Sequence, residues 1–272
     1  MDAKLQRRVQ RYGWDKAARY YEAYWQRQLE PVQARLRERA HVQEGEQVID
    51  VACGTGLVSF PVATRVGSAG TLFGVDISEG MVEIARRVAT ERKLGHVRFD
   101  RMDAEDLQIG DSSFDVGICA LGLMYVPNPH KALQEIYRVL KPGGRAVASV
   151  WGQRNRCGWA EIFPIIDARV QSEVCPLFFH LGTGDTLQRE FEEAGFSQAT
   201  LERLETRLIY SSPEEACGAA FAGGPVALAY SRLDDSATAQ VRNEYLASIE
   251  PFRDGEGYSI PGEFVIASGY KA

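Results

Sequence analysis

The sequence contains no C-x-x-C pair, and its five cysteines (Cys53, Cys119, Cys157, Cys175 and Cys217) are odd in number and scattered. That spacing argues against a disulfide framework and against a zinc site, so no metal is expected. Reduced thiols suit a cytoplasmic setting. Cys157, Cys175 and Cys217 could together hold a soft ligand, but they read more simply as three separate small hydrophobes. No apolar run approaches the ~18 residues needed to span a bilayer. The opening stretch MDAKLQRRVQRYGWDK lacks the apolar centre of a secretory signal. No low-complexity tract and no internal repeat is visible. Histidine is scarce, with only His41, His96, His130 and His180. None falls into a Ser/His/Asp or Cys/His arrangement for nucleophilic catalysis.

What is present is ordinary globular composition, 272 residues of which 45% are hydrophobic and 25% charged. Disordered, collagen-like and coiled-coil readings of the whole chain are excluded, and one large domain, or one domain with a substantial appendage, fits the length. The net charge of −6 is unevenly spread. Residues 1–41 hold ten Lys or Arg against five acids, leaving the other 231 residues at −11. The charges are interleaved, as on helices with solvated faces docked on an acidic body. A basic arm for an anionic substrate, RNA or a membrane surface is the functional alternative.

In that first segment Asp15 reads as the N-cap of a helix, and Tyr21, Trp25, Leu29, Val32 and Leu36 recur at helical spacing. Pro31 is expected to divide the segment into two helices. The aromatic stripe suits a docking face, or a lid made by Tyr20, Tyr21, Tyr24 and Trp25. From Glu46 short apolar strands alternate with amphipathic helices. QVIDVA, GTLFGVD, HVRFDRMDA, FDVGICAL and RAVASVW read as strands. Ser78 and Asn128-Pro129 start helices, and Lys141-Pro142-Gly143-Gly144 reads as a turn. Strand–helix alternation through 46–151 predicts an α/β fold with a doubly wound parallel sheet. Residues 152–182 read as an aromatic, Pro-containing insertion. Asp185–Ala194 reads as a helix, 199–210 as a strand, 213–250 as helical and EFVIASGYKA as the last strand, which makes seven in all. The expected units are an arm or lid (1–41), a core (42–151), a cap (152–182) and a C-terminal part of the sheet (183–272).

The loop Asp50-Val51-Ala52-Cys53-Gly54-Thr55-Gly56 falls at the carboxyl end of the first strand, where such a sheet binds its ligand. Asp76 ends the second strand, twenty residues beyond Gly56, and suits ribose hydroxyls. A dinucleotide would demand a third glycine where Ser59 stands, and Asp50 would oppose its phosphates. A cationic, phosphate-free nucleoside suits Asp50 better.

The ordered set VIDVACGTGLVSF, GVDISEGMVEIAR, MDAEDL, FDVGICALGLMYVPNP and LKPGGR resembles the class I S-adenosylmethionine-dependent methyltransferases. Within them it is most similar to the group containing the ubiquinone and menaquinone C-methyltransferases. The resemblance covers about 110 residues, the whole core. It implies S-adenosyl-L-methionine as cofactor, with S-adenosyl-L-homocysteine as product, on a Rossmann-like seven-stranded sheet. It implies that Asp50, Ala52, Cys53, Gly54, Thr55 and Gly56 hold the methionine portion and that Asp76 takes the ribose. Ile77 and Met81 would pack on the adenine, with Asp103, Ala104 and Glu105 at its amine edge. Ala120 and Leu121 would approach the sulfonium, and Tyr20 would close from the N-terminal side. Ala52 stands where the common pattern has Gly, and fits there if its φ is negative.

The expected function is methyl transfer to a small hydrophobic or aromatic metabolite by in-line displacement, with His180 as the candidate base. His130 reads as structural at a helix start. The stretch Ala120-Leu121-Gly122-Leu123 offers no polar grip for an exocyclic amine, which disfavours nucleic-acid amine methylation. An RNA or protein methyltransferase using the basic arm, a non-catalytic S-adenosylmethionine-binding protein and a nicotinamide-dependent reductase are the competing readings. The last is opposed by Ser59 and Asp50.

Overall fold

A computed structural model describes residues 2–170 and 177–272. Its centre is one sheet in the order β3-β2-β1-β4-β5-β8-β6. The strands are β1 (Gln47–Val51), β2 (Thr71–Asp76), β3 (Val97–Arg101), β4 (Phe114–Ala120), β5 (Leu140–Trp151), β6 (Ser197–Tyr210), β7 (Arg253–Asp254) and β8 (Gly257–Tyr270). β1 to β5 pair in parallel, and β8 enters antiparallel between β5 and β6. Seven strands make the expected path. The eighth, two-residue β7 folds back on β8 as a hairpin around Gly255, at φ +60°. β1 is buried along nearly its whole length, as a strand covered on both faces must be. β1 and β4 are adjacent while their crossovers run in opposite directions, so a crevice opens between their carboxyl ends.

The helices are α1 (Ala3–Ala40), α2 (Ser59–Val66), α3 (Glu79–Glu91), α4 (Pro129–Val139), α5 (Ile162–Asp167), α6 (Thr186–Glu193), α7 (Pro213–Cys217), α8 (Ala227–Tyr230) and α9 (Asp235–Ile249). Ser78 and Asn128 cap α3 and α4 as expected, each accepting a main-chain N–H from three residues on. Lys141–Gly144 is taken up inside β5 as an irregularity. Leu140 pairs with Phe114, and pairing resumes at Arg145 with Val116. Residues 213–252 are helical in pieces, with a π turn at Gly218–Ala222 between α7 and α8.

Two expectations about the N-terminal segment are corrected. α1 is one helix of 38 residues, capped by Asp2 and containing Pro31. Pro31 and Arg27, whose carbonyl it leaves without a donor, both face solvent, so water can replace the missing bond. The buried stripe of Trp25, Leu29, Val32 and Leu36 continues straight past it. Burying each of these side chains contributes about 1.5–3 kcal/mol, comparable to what an interior proline costs. Asp15 does not start a helix. Its carboxylate accepts from Ser78 Oγ at 2.6 Å and Gly80 N at 3.0 Å, so it ties α1 to the start of α3. α1 also packs on α8, β5, β6 and β8.

Candidate active site

A cavity occupies the crevice at the carboxyl ends of β1, β2 and β4, roofed by α1. Of the residues expected there, Ala52, Gly54, Asp76, Ile77, Met81, Asp103, Ala104, Ala120 and Leu121 line it. Cys53, Thr55 and Gly56 belong to the supporting loop, and Asp50 stands immediately behind the lining on β1. Glu105 is buried and bonded to its surroundings.

The β1 loop is strained where it meets the cavity. Ala52 lies at φ +59°, not at the negative φ expected of an alanine in a position that favours glycine. The chain must reverse there from β1 into the loop, and the left-handed conformation achieves it. Leu121, at the end of β4, lies at φ +60°. A side chain on the next residue, Gly122, would put its Cβ 2.4 Å from Ala52 Cβ, so only glycine lets the two strand ends approach. Strain of this kind, of order 1–3 kcal/mol per residue, concentrates at functional sites. Gly56, at φ +93°, has a second constraint, because a Cβ there would meet the Phe60 ring at 2.5 Å.

Ser59, which stands where a dinucleotide fingerprint would place glycine, donates from Oγ to Asp50 Oδ2 at 2.5 Å. Asp50 Oδ1 and Thr55 Oγ1 are buried without a partner among the described residues. Burial pushes the Asp50 carboxyl up to about 7. The Ser59 bond pulls the other way, and the charge of Asp76 adds to the rise. Asp76 accepts from Gly54 N and Ser78 N, both at 2.9 Å, which fixes its carboxylate toward the cavity. Burial pushes it up to about 6 against those two bonds. Burial likewise raises the thiol of Cys53, a poor nucleophile at neutral pH.

Asp103 Oδ1 accepts from Glu105 N at 2.9 Å, and its Oδ2 stands 2.9 Å from Arg7 Nε of α1. Arg7 also pairs with Glu105, which accepts from Asn128 N at 3.0 Å. The basic segment is thus partly spent on the acidic body, and Arg35 and Arg39 pair with Glu202 in the same way.

The rest of the cavity is aromatic. Arg7, Gln10, Trp14, Tyr21, Trp25 and Leu29 face it from α1, at steps that keep one side of a helix. Tyr20 falls off that face. Its ring lies under Arg19 and does not line the cavity, so Tyr21 takes the place expected of it. Trp151, Trp159 and Phe178 form the far wall, with ring centroids 4.8 Å apart for Trp151–Trp159 and 5.6 Å for Trp159–Phe178. Gly224 and Pro225 close it from the segment before α8. Arg7, Met124, Tyr125, Trp151 and Gly224 were not expected from sequence. Only Met124 and Tyr125, inside the GLMYVPNP motif, carried a local signal.

His180 is exposed and does not line the cavity. His130 Nδ1 stands 3.3 Å from Glu190 Oε2 at the start of α4, outside the cavity lining. Cys157 and Cys217 are buried free thiols. Cys175 lies outside the described residues. No helix of the described residues is long and apolar enough to cross a membrane.

A Rossmann-like sheet with an acid at the end of β2 and a glycine loop after β1 defines the nucleoside-binding class of doubly wound proteins. Residues 42–195 match the family model described as a methyltransferase domain. The demethylmenaquinone methyltransferase of Symbiobacterium thermophilum is 33% identical over 215 residues, 70% of this chain and 86% of that protein. The enzyme of the same name from Listeria monocytogenes is 39% identical over 122 residues, 45% of this chain. The chain spans about half the length of the Listeria protein, 52%. Among solved structures, a putative methyltransferase from Bacillus halodurans superposes with a TM-score of 0.63 at 22% identity, covering 88% of this chain and 98% of that one. Phosphoethanolamine N-methyltransferase 2 of Haemonchus contortus, in complex with S-adenosyl-L-methionine, gives 0.62 at 16% identity, covering 95% and 57%. The chain belongs to the class I S-adenosylmethionine-dependent methyltransferases, of the menaquinone and ubiquinone type.

Proposed function

We propose that this chain transfers a methyl group from S-adenosylmethionine to a small planar hydrophobic acceptor, of the quinone-precursor kind suggested by the names of its relatives. One observation carries the reading. A single cavity holds the acids and strained strand ends on one side and an apolar aromatic chamber on the other. The residues fit the donor. Asp50 leaves a buried carboxylate oxygen unpartnered, as a site for a cationic ligand would, and Asp76 is fixed with both oxygens held by N–H donors.

When bound, S-adenosylmethionine supplies an electrophilic methyl carbon on a sulfonium. Asp76 would accept from the ribose hydroxyls. Asp103, steadied by Glu105 N and Arg7, would accept from the adenine amine, with Ile77 and Met81 against the ring. Asp50 and the loop from Ala52 to Gly56 would hold the methionine end. Ala120 and Leu121 would border the reacting centre. Trp25, Trp151, Trp159 and Phe178 would align a flat acceptor and exclude water, which is most of what an in-line transfer asks of a protein. With His180 on the surface, no histidine lines the chamber among the described residues. The acceptor would then bring its own ionisable group, as a hydroquinone or phenol does.

The test is incubation with methyl-labelled donor and a panel of hydroquinones, phenols and amines, read by mass spectrometry. Label on a planar phenolic or quinol acceptor supports the reading. Label confined to RNA or protein, or none with any acceptor while the donor binds, overturns it.

A further inference from the structure

Lys4, Arg8, Arg11, Lys16 and Arg19, on the first half of α1, have no carboxylate within ion-pairing distance among the described residues. The same helix pairs Arg35, Arg37 and Arg39 near its far end. At 100° per residue the five cations fall within an arc of about 140°, which also holds Asp15, whose carboxylate is taken up by Ser78 and Gly80 at the start of α3. Leu5 and Tyr12 fall inside that arc, at 38% and 47% exposure, two of the most exposed large hydrophobics among the described residues. Arg7, Trp14 and Tyr21, on the opposite side of the helix, line the cavity.

We infer that this outer face of α1 is a docking surface for an anionic lipid bilayer. Its chemistry is that of an interfacial helix, with cations that attract acidic headgroups and apolar side chains between them that enter the headgroup boundary. The rest of the protein favours a plane over a polyanionic strand. The body carries −11, so a nucleic acid running past the helix and along the body would be repelled more than a surface that touches the helix face. Docking through this face would set the cavity roof at the membrane, where hydrophobic acceptors partition. The surface itself does not depend on the methyl-transfer reading, because vesicle binding is measured without donor or acceptor.

The experiment is flotation of the full chain with vesicles of phosphatidylcholine alone or mixed with phosphatidylglycerol, at low and high salt. Binding only to the anionic vesicles, lost at high salt, is expected. The triple variant Lys4→Glu, Arg8→Glu, Lys16→Glu should bind at least about thirtyfold more weakly. Leu5→Ala with Tyr12→Ala should weaken binding several-fold at unchanged charge. All five side chains are exposed, so unchanged circular dichroism and unchanged S-adenosylmethionine affinity should accompany both losses. Failure to float with anionic vesicles, equal binding to phosphatidylcholine alone, or wild-type binding by the triple variant would overturn the inference. So would an RNA competitor that displaces the vesicles and whose own binding ignores Leu5 and Tyr12. That last result would assign the stripe to nucleic acid.

Discussion

The two halves of the cavity are built by different physics. The donor half comes from three neighbouring strand ends, and its features are local: an acid on β1 held by Ser59, an acid on β2 held by two main-chain N–H groups, and two left-handed residues. The acceptor half is assembled from α1, the end of β5 and two later segments, meeting as Trp25, Trp151, Trp159 and Phe178. The first half stores strain and buried charge. The second is held together by packing. Substitutions should therefore separate them, losing stability in one and gaining it in the other.

The largest effect is expected from Trp159→Ala. Its ring is buried and touches Trp151, Phe163, Phe178 and Phe179, so truncation should cost about 3–5 kcal/mol in denaturant unfolding. S-adenosylmethionine affinity should stay within about twofold, since the donor half is untouched. A matching collapse of donor affinity would join the two halves into one cooperative unit.

Asp50→Asn should do the reverse. A buried carboxyl raised to about 7 binds its proton more readily folded than unfolded, so it withholds stability as pH rises from the ordinary carboxylate range through 7. A rise from the ordinary carboxylate range to about 7 corresponds to about 4 kcal/mol, so the amide should stabilise the ligand-free protein by about 2–4 kcal/mol at pH 8. The gain should vanish near pH 4, while donor affinity falls. In the wild type, a cationic donor favours the ionised carboxylates of Asp50 and Asp76. Its affinity should weaken as pH drops below about 7 and again below about 6, and level off above. A flat profile from pH 5 to 8 in calorimetry would mean that neither acid responds to the donor.

The contrast also explains what the sequence disclosed. Asp76, Asp103, Gly54 and Leu121 were legible because strand ends in this topology must converge on the switch point, and the motifs fall on those ends. Ser78 and Asn128 were legible as caps because capping is a contact over three residues. Trp151, Gly224 and Arg7 were not, because each reaches the cavity through packing between segments far apart in the chain. Pro31 misled because its cost is local while the burial of Trp25, Leu29, Val32 and Leu36 is tertiary. Asp15 misled because it is a cap partner for a different helix. Tyr20 and Tyr21 differ by one residue, about 100° on a helix, and of the two Tyr21 falls on the cavity face.

A smaller effect tests the strain itself. Ala52→Gly removes the cost of a left-handed alanine but adds freedom to the unfolded chain, for a net gain of about 0.5–1 kcal/mol in thermal unfolding. Destabilisation instead would show that the Ala52 methyl, close to Gly122, matters more as packing than as strain.

The most direct test of the donor half is calorimetric titration with S-adenosylmethionine, comparing the wild type with Asp76→Ala. Micromolar binding by the wild type, weakened at least about tenfold by the substitution, is the expected result. No measurable binding, or equal affinity in the two proteins, would contradict it.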